Sequence, residues 1–165
     1  MTRDIMIVTF FDAINNIDNR VRKVFNFVRN RVNQYTLEHS IAVATLTSIN
    51  INQYKKFNPN IVSLQIIALA HDLLEYSDIT VDDLRKTKLF KEDELNSIVS
   101  LTNTFDTYEE FIANMQNDIN ACIVKIYDIE DNLDLLYDNQ VNIEDSFYEE
   151  RKRAYNFLKG KLNNI

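Results

Sequence analysis

Glycine and proline are almost absent from this chain, because its 165 residues include one of each. Sheet-rich folds need tight turns, and tight turns draw on glycine and proline for the backbone conformations they require. The chain is long enough to bury a real core as one domain, and 45% of its residues are hydrophobic. The sequence therefore predicts an all-α fold, a helical bundle of about eight or nine helices in a single domain over residues 1–165.

Apolar residues recur at helical spacing along most of the chain, and no segment alternates cleanly with the period of a β-strand. Helices are predicted for 20–32, 38–49, 61–70, 91–101, 107–115, 118–136 and 143–161. Thr80 is followed three residues later by Asp83, and Thr107 by Glu110, which is the spacing of a helix N-cap. Pro59 suits the start of the helix that leads into His71.

Charge and cysteine content exclude several classes of function. The formal net charge is −7, and a general affinity for duplex nucleic acid, which needs a basic surface, is not expected. A single cysteine, Cys122, excludes an internal disulfide framework and a cysteine-cluster zinc site. The sequence has neither an apolar run of membrane-spanning length nor a secretory pattern. We expect a cytoplasmic protein with no membrane partner, and the oligomeric state stays open.

Positive charge is nevertheless uneven along the sequence. Five basic residues lie close together before residue 32: Arg20, Arg22, Lys23, Arg29 and Arg31. The region 128–150 is strongly acidic. A basic edge beside an acidic pocket fits a small phosphorylated ligand that is held partly through a cation, and a solvated helix face explains the charges equally well.

The chain has two histidines, and each lies at the end of an apolar helical run. His39 opens one run, the dipeptide His71-Asp72 ends another, and Asp128 lies inside a third. A lone histidine at a helix edge is usually structural, but imidazole and carboxylate ligands together suit Mn²⁺, Fe²⁺ or Zn²⁺. Adjacent His71 and Asp72 can both reach one ion if the helix end points into the site. Glu75, one helical turn after His71, is placed to assist a water on the metal or to pair on the surface.

These residues lie in segments that resemble the HD-domain metal-dependent phosphohydrolases, and within them the RelA/SpoT-homology hydrolase branch, including its small stand-alone members. The matching segments are Tyr35–Ala44, Ile67–Glu75, Asp78–Leu84, Leu101–Thr102, Thr107–Phe111 and Lys125–Leu133. Their order and spacing cover roughly residues 20–160. The late Lys-x-x-Asp-x-x-x-Asn element and the Thr-Tyr-Glu-Glu-Phe segment make the resemblance more specific than the histidine pattern alone.

The resemblance implies a metal site with four ligands, His39, His71, Asp72 and Asp128, holding one divalent ion that is usually Mn²⁺. It also implies a small nucleotide substrate and a cleaved phosphoester, and the branch it resembles points to the 3′-diphosphate of a guanosine alarmone (ppGpp). Glu75 corresponds to the first acid of the family's catalytic pair. Contacts with the substrate are implied for one or more of these residues: Arg29, Arg31, Lys125, Asn132 and Leu135. The sequence does not decide between the two arginines.

One position departs from the family pattern, because Tyr76 stands where the family has its second catalytic acid. A phenol has an ordinary pKa of about 10, so Tyr76 is a poor base at neutral pH. Three functions therefore stay open: an alarmone hydrolase, an HD-type nucleotidase acting on another small phosphate, and a degenerate HD domain that binds a nucleotide or a protein without catalysis.

Overall fold

A computed structural model of the chain describes residues 2–13, 18–138 and 145–165, with the side chains of 134–138 and 145 outside that description. The described residues are all-helical and contain no strand, which confirms the predicted fold class. The α-helices are α1 Arg3–Ala13, α2 Asn19–Val28, α3 Gln34–Ile49, α4 Ile61–Ala70, α5 Leu73–Tyr76, α6 Val81–Thr87, α7 Glu92–Leu101, α8 Tyr108–Met115, α9 Ile119–Asp138 and α10 Asp145–Asn164. A 3-10 helix, Ile51–Phe57, lies between α3 and α4.

Helix α3 occupies the centre of the bundle. It packs against α1, α4 and α9, while α2 and α7 pack on α4, and α10 packs on α9. The residues of α3 from Ile41 to Leu46 are all buried, and so are those of α4 from Ile66 to Ala70. A helix that is apolar on all sides belongs in the core. Because α3, α4 and α9 form that core, polar side chains at their ends meet in the interior.

Local capping explains where several helices begin. The side chains of Thr80 and Thr107 accept hydrogen bonds from the backbone N–H groups of Asp83 and Glu110, and both capping boxes are complete. Both predicted caps are thereby confirmed. Asn60 caps α4 by accepting from the N–H of Ser63 at 3.0 Å. These caps satisfy N–H groups that a helix leaves without a partner in its first turn.

Helix α1 is absent from the sequence prediction. Its residues from Ile5 to Phe11 are almost all apolar, so they give no helical period that separates a buried face from an exposed one. In the structure Met6 and Phe10 are buried, whereas Ile5 and Val8 are exposed. Packing against α3 therefore decides which face of α1 is buried. Such tertiary packing cannot be read from the hydrophobic pattern of the sequence.

No helix in the described part of the chain is both long and apolar enough to cross a membrane.

Candidate metal centre

Three elements bring the four predicted ligands together. His39 lies on α3, Asp128 lies on α9, and His71 and Asp72 form the break between α4 and α5. Helix α4 ends at Ala70, and the backbone carbonyl of Asp72 accepts a hydrogen bond from the backbone N–H of Tyr76 at 3.0 Å as the chain turns into α5. The two adjacent side chains can therefore face one point, as their position at a helix end predicted.

Two of the four distances between these side chains match the spacing of ligands on one ion, and two are longer. His39 Nε2 lies 3.0 Å from Asp128 Oδ1 and 3.9 Å from Asp72 Oδ2. His71 Nε2 lies 3.3 Å from Asp72 Oδ1 and 3.9 Å from Asp128 Oδ1. Two atoms bound to one ion at about 2.1 Å, with an angle of 90–109° between the bonds, lie about 3.0–3.4 Å apart. One ligand atom each of His39, His71 and Asp72 lies within 4.8 Å of the other two.

His71 offers a free lone pair at this point. Its Nδ1 lies 2.7 Å from the carbonyl oxygen of Ala68, and because a carbonyl can only accept, Nδ1 carries the proton. Nε2 is consequently unprotonated in the neutral ring, and it is buried without a hydrogen-bond partner. A buried acceptor without a partner is costly, and a divalent ion would satisfy it. This orphaned nitrogen is the observation that best fits a metal.

His39 is held between two carboxylates. Its Nε2 meets Asp128 at 3.0 Å and its Nδ1 meets Asp131 at 2.7 Å. Burial disfavours the charged ring, but the hydrogen bonds to Asp128 and Asp131 outweigh it and raise the pKa of His39 to about 9. Without a metal, His39 is therefore an imidazolium at neutral pH that donates from both nitrogens. A divalent ion on Nε2 would replace that proton.

Asp128 has further partners of its own. Its Oδ2 lies 2.6 Å from Lys125 Nζ, and its Oδ1 accepts a hydrogen bond from Asn132 Nδ2 at 2.7 Å. Burial disfavours the carboxylate, but Lys125 and His39 outweigh it and hold the pKa of Asp128 well below its usual range. Asp128 is therefore ionised and oriented, as a metal ligand must be. Lys125 and Asn132, both predicted to contact substrate, lie beside this ligand and line the same pocket.

Two residues that the sequence analysis missed complete the surroundings of His39. Asp131 accepts the Nδ1 proton of His39 and is only 2% exposed. Arg3, from α1, forms an ion pair with Asp131 through Nη2, and its Nε lies 3.4 Å from Asp131 Oδ1. The spacing of Asp128 and Asp131, three residues apart on one helix, could have indicated Asp131. No sequence signal connects Arg3 with residues that lie more than a hundred positions away.

The predicted catalytic residues lie at the rim of the site. Glu75 and Tyr76 are exposed and line the pocket together with Asp72. Glu75 Oε1 accepts the backbone N–H of Asn103 at 2.5 Å. Partial burial, together with the negative charges of Asp72 and Glu75, raises the pKa of Tyr76 above its ordinary value. Tyr76 is therefore a neutral phenol at physiological pH, next to the carboxylate that the family resemblance assigns to catalysis.

The pocket in front of the cluster has a volume of about 650 Å³. Its lining also includes Tyr108 of α8, which belongs to the matching segment Thr107–Phe111. Phe147 and Arg151 of α10 line it as well, and sequence reasoning missed them, since no motif marks α10. The guanidinium carbon of Arg151 lies 3.4 Å from the centre of the Tyr108 ring and 4.5 Å from that of Phe147. The pocket therefore contains two positive charges, Lys125 and Arg151, in addition to the acidic cluster. A phosphorylated ligand requires such positive charge.

The other residues predicted to contact substrate lie elsewhere. Neither Arg29 nor Arg31 lines the pocket, because each guanidinium lies over a ring of α2, Arg29 at 5.9 Å from Phe25 and Arg31 at 3.6 Å from Phe27. Their contact with a substrate stays a prediction. Leu135 belongs to α9, but its side chain lies outside the described residues.

Comparison with known proteins gives no match: no protein-family model fits the chain, and no curated protein is significantly similar to it.

Proposed function

We propose that this chain is an HD-type phosphohydrolase that depends on a divalent metal ion and cleaves a phosphoester of a small nucleotide. The observation that carries the proposal is the unpartnered, buried Nε2 of His71, which lies 3.3 Å from Asp72 Oδ1 and 3.9 Å from Asp128 Oδ1, beside the ring of His39. The resemblance to the RelA/SpoT-homology branch favours Mn²⁺ as the ion and a guanosine 3′-diphosphate alarmone as the substrate. A cytoplasmic location belongs to the same proposal.

The ion would be held by His39, His71, Asp72 and Asp128. It would supply Lewis-acid chemistry, since it draws charge from phosphoryl oxygens and lowers the pKa of a water molecule. Because Lys125 lies 2.6 Å from Asp128, it keeps that ligand ionised and adds positive charge where a phosphate would lie. Arg151, which also lines the pocket, adds a second positive charge, and Asn132 orients both Asp128 and the bound nucleoside.

Glu75 is the base in this proposal. It lines the pocket one turn after His71, and its carboxylate is fixed by the backbone N–H of Asn103. A water oxygen attacks phosphorus while Glu75 takes its proton, the bond from phosphorus to the leaving oxygen breaks, and solvent protonates that oxygen. General-base assistance of this kind contributes a factor of about 10²–10⁴ in rate.

Tyr76 supports a second candidate function. Since it is neutral and stands where the related enzymes have a second acid, an HD-type domain that binds a nucleotide without cleaving it fits the same pocket. An HD-type nucleotidase acting on a monophosphate is the corresponding enzymatic alternative, because such enzymes work with the single acid after the His-Asp pair.

The test is a panel of nucleotides, including ppGpp and nucleoside monophosphates, incubated with purified protein and Mn²⁺ while phosphate and pyrophosphate release are measured. We expect release from at least one substrate, abolition by chelator, and a loss of about 10²-fold or more in Glu75→Gln. Glu109→Gln, which removes an exposed carboxylate outside this pocket, is the matched control and should keep full activity. Metal-loaded protein that binds a nucleotide but cleaves none of the panel would overturn the hydrolase in favour of the binding domain.

A further inference from the structure

The two histidines of the site differ in what holds their Nδ1 protons. His71 donates to the carbonyl of Ala68, three residues earlier in the chain, so its tautomer is fixed locally. His39 donates instead to the side chain of Asp131 on α9, 92 residues away, at 2.7 Å. A neutral histidine binds a metal through one nitrogen only when the other holds the proton. The tautomer of His39 therefore depends on a residue of another helix.

Asp131 is in turn held by α1. Its carboxylate is 2% exposed, and the guanidinium of Arg3 pairs with both of its oxygens. The Arg3 side chain is 10% exposed, and its guanidinium carbon lies 5.2 Å from the ring centre of Tyr35 at the start of α3. Arg3 Nη2 also lies 3.4 Å from His39 Nδ1. An arginine that pairs with both oxygens of a carboxylate keeps the carboxylate ionised and holds the orientation of its plane.

Neither Arg3 nor Asp131 lines the pocket, so neither is placed to touch a substrate. The Asp131 carboxylate has one oxygen bonded to the His39 ring and both paired with Arg3. Carboxylates in this relation to a metal-binding histidine raise its basicity and fix its orientation, and their loss typically costs 10–100-fold in metal affinity. By this geometry Arg3 and Asp131 act on the His39 ring and do not contact the reacting atoms.

We propose that Arg3 and Asp131 are positioning residues that hold His39 in its Nδ1-protonated tautomer. Metal affinity consequently depends on the packing of α1, which carries Arg3, against the rest of the bundle. This inference rests on the metal site of the proposed function. It does not depend on which phosphoester, if any, is cleaved. The local bond of His71 to Ala68 makes that histidine independent of α1, so the effect is confined to His39.

The test compares Zn²⁺ binding by calorimetry in wild type, Asp131→Asn and Arg3→Gln. We expect Asp131→Asn to bind about 10–100-fold more weakly. Arg3→Gln should bind at least about threefold more weakly, and less so than Asp131→Asn, since His39 keeps its acceptor. Matched controls are Glu94→Gln and Arg20→Gln. These two residues form an ion pair with an N–O distance of 2.7 Å, Glu94 is buried, and neither residue lines the pocket. The controls should keep wild-type affinity even where they lower the melting temperature.

Nuclear magnetic resonance of the Zn²⁺-loaded protein gives a readout that a merely structural role would not change. The chain has two histidines, so two imidazole Nδ1–H signals are expected in wild type. In Asp131→Asn the signal of His39 should be lost or shifted to the Nε2-protonated form, while that of His71 persists. Arg3→Gln keeps the inference testable if Asp131→Asn fails to fold, as circular dichroism would reveal.

Several outcomes would overturn the inference: equal affinity in wild type and both variants, losses matched by Glu94→Gln and Arg20→Gln, or an unchanged His39 signal in Asp131→Asn. If wild type takes up neither Zn²⁺ nor Mn²⁺, the metal site fails, and both this inference and the proposed function fall with it. If wild type binds metal but cleaves no phosphoester, the proposed function alone fails and the comparison of affinities still decides the role of Arg3 and Asp131.

Discussion

Replacing Tyr76 by aspartate should increase phosphoester hydrolysis. Tyr76 is 60% exposed and lines the pocket beside Glu75, so its ring does not fill the core. Substitutions at exposed positions usually change the free energy of unfolding by less than about 0.5 kcal/mol, and we expect the variant to fold normally. The change replaces a neutral phenol by a carboxylate at the mouth of an acidic site.

The magnitude follows from the charges around position 76. Partial burial and, after it, the negative charges of Asp72, Glu75 and Asp128 raise the pKa of Tyr76, and both effects would raise the pKa of an aspartate there as well. A carboxyl whose pKa moves toward neutrality is a better general base, and such assistance is worth a factor of about 10²–10⁴. Since the scaffold was not built around this carboxylate, we expect a gain of at least about tenfold, which corresponds to about 1.4 kcal/mol in the activation barrier.

The assay is pyrophosphate release from ppGpp in Mn²⁺ by wild type, Tyr76→Asp and Tyr76→Asn, with circular dichroism of all three. Tyr76→Asn is the matched control because it has nearly the size of aspartate without the charge. A gain in Tyr76→Asp that is absent from Tyr76→Asn supports the reasoning. A wild type that already works at an ordinary enzymatic rate, with Tyr76→Asp slower, would refute it and would make Tyr76 a working part of the site.

Three further measurements probe the site. Asp128→Asn keeps the volume of the side chain but removes its charge, so elemental analysis should find much less bound metal than in wild type, and equal metal would contradict the ligand assignment. The pKa of His39 in the folded, metal-free protein is about 9 against 6.5 unfolded, so its contribution to stability is complete below pH 6.5 and disappears as the pH rises through 9. At about 1.4 kcal/mol per pKa unit that contribution is at most about 3.5 kcal/mol, and urea unfolding of chelated wild type and His39→Gln at pH 6 and pH 9.5 should show the difference in unfolding free energy between them shrinking. Metal-saturated protein should have a higher melting temperature than chelated protein, by an amount that grows with metal concentration, and a concentration-independent melting temperature would contradict specific binding.

The sequence predicted those parts of the site that depend on local structure. His71 and Asp72 end an apolar helix, so their position at a helix terminus could be inferred from the pattern alone. Glu75 follows His71 by one turn, and its place in the pocket follows from the same spacing.

What the sequence did not predict depends on contacts between distant segments. Arg3 reaches Asp131 across 128 positions, from a helix whose apolar run has no period. The candidate arginines Arg29 and Arg31 were chosen for their charge and their nearness to His39 in sequence. In the structure Arg31 lies over Phe27, four residues earlier on the chain, and Arg151 of α10 lines the pocket together with Lys125. Packing decides which of several cations faces a site, and composition does not.

The separation of the site residues along the chain has a consequence for folding. His39 and Asp128 are 89 residues apart, and Arg3 and Asp131 are 128 apart, so the cluster forms only after long loops have closed. Such contacts are slow to form because closing a long loop costs chain entropy before the new contacts stabilise the fold. During synthesis both histidines leave the ribosome well before α9 exists. An ion held by all four proposed ligands, Asp128 included, would stabilise the bundle only after α9 has arrived, whereas His39, His71 and Asp72 are all present before it.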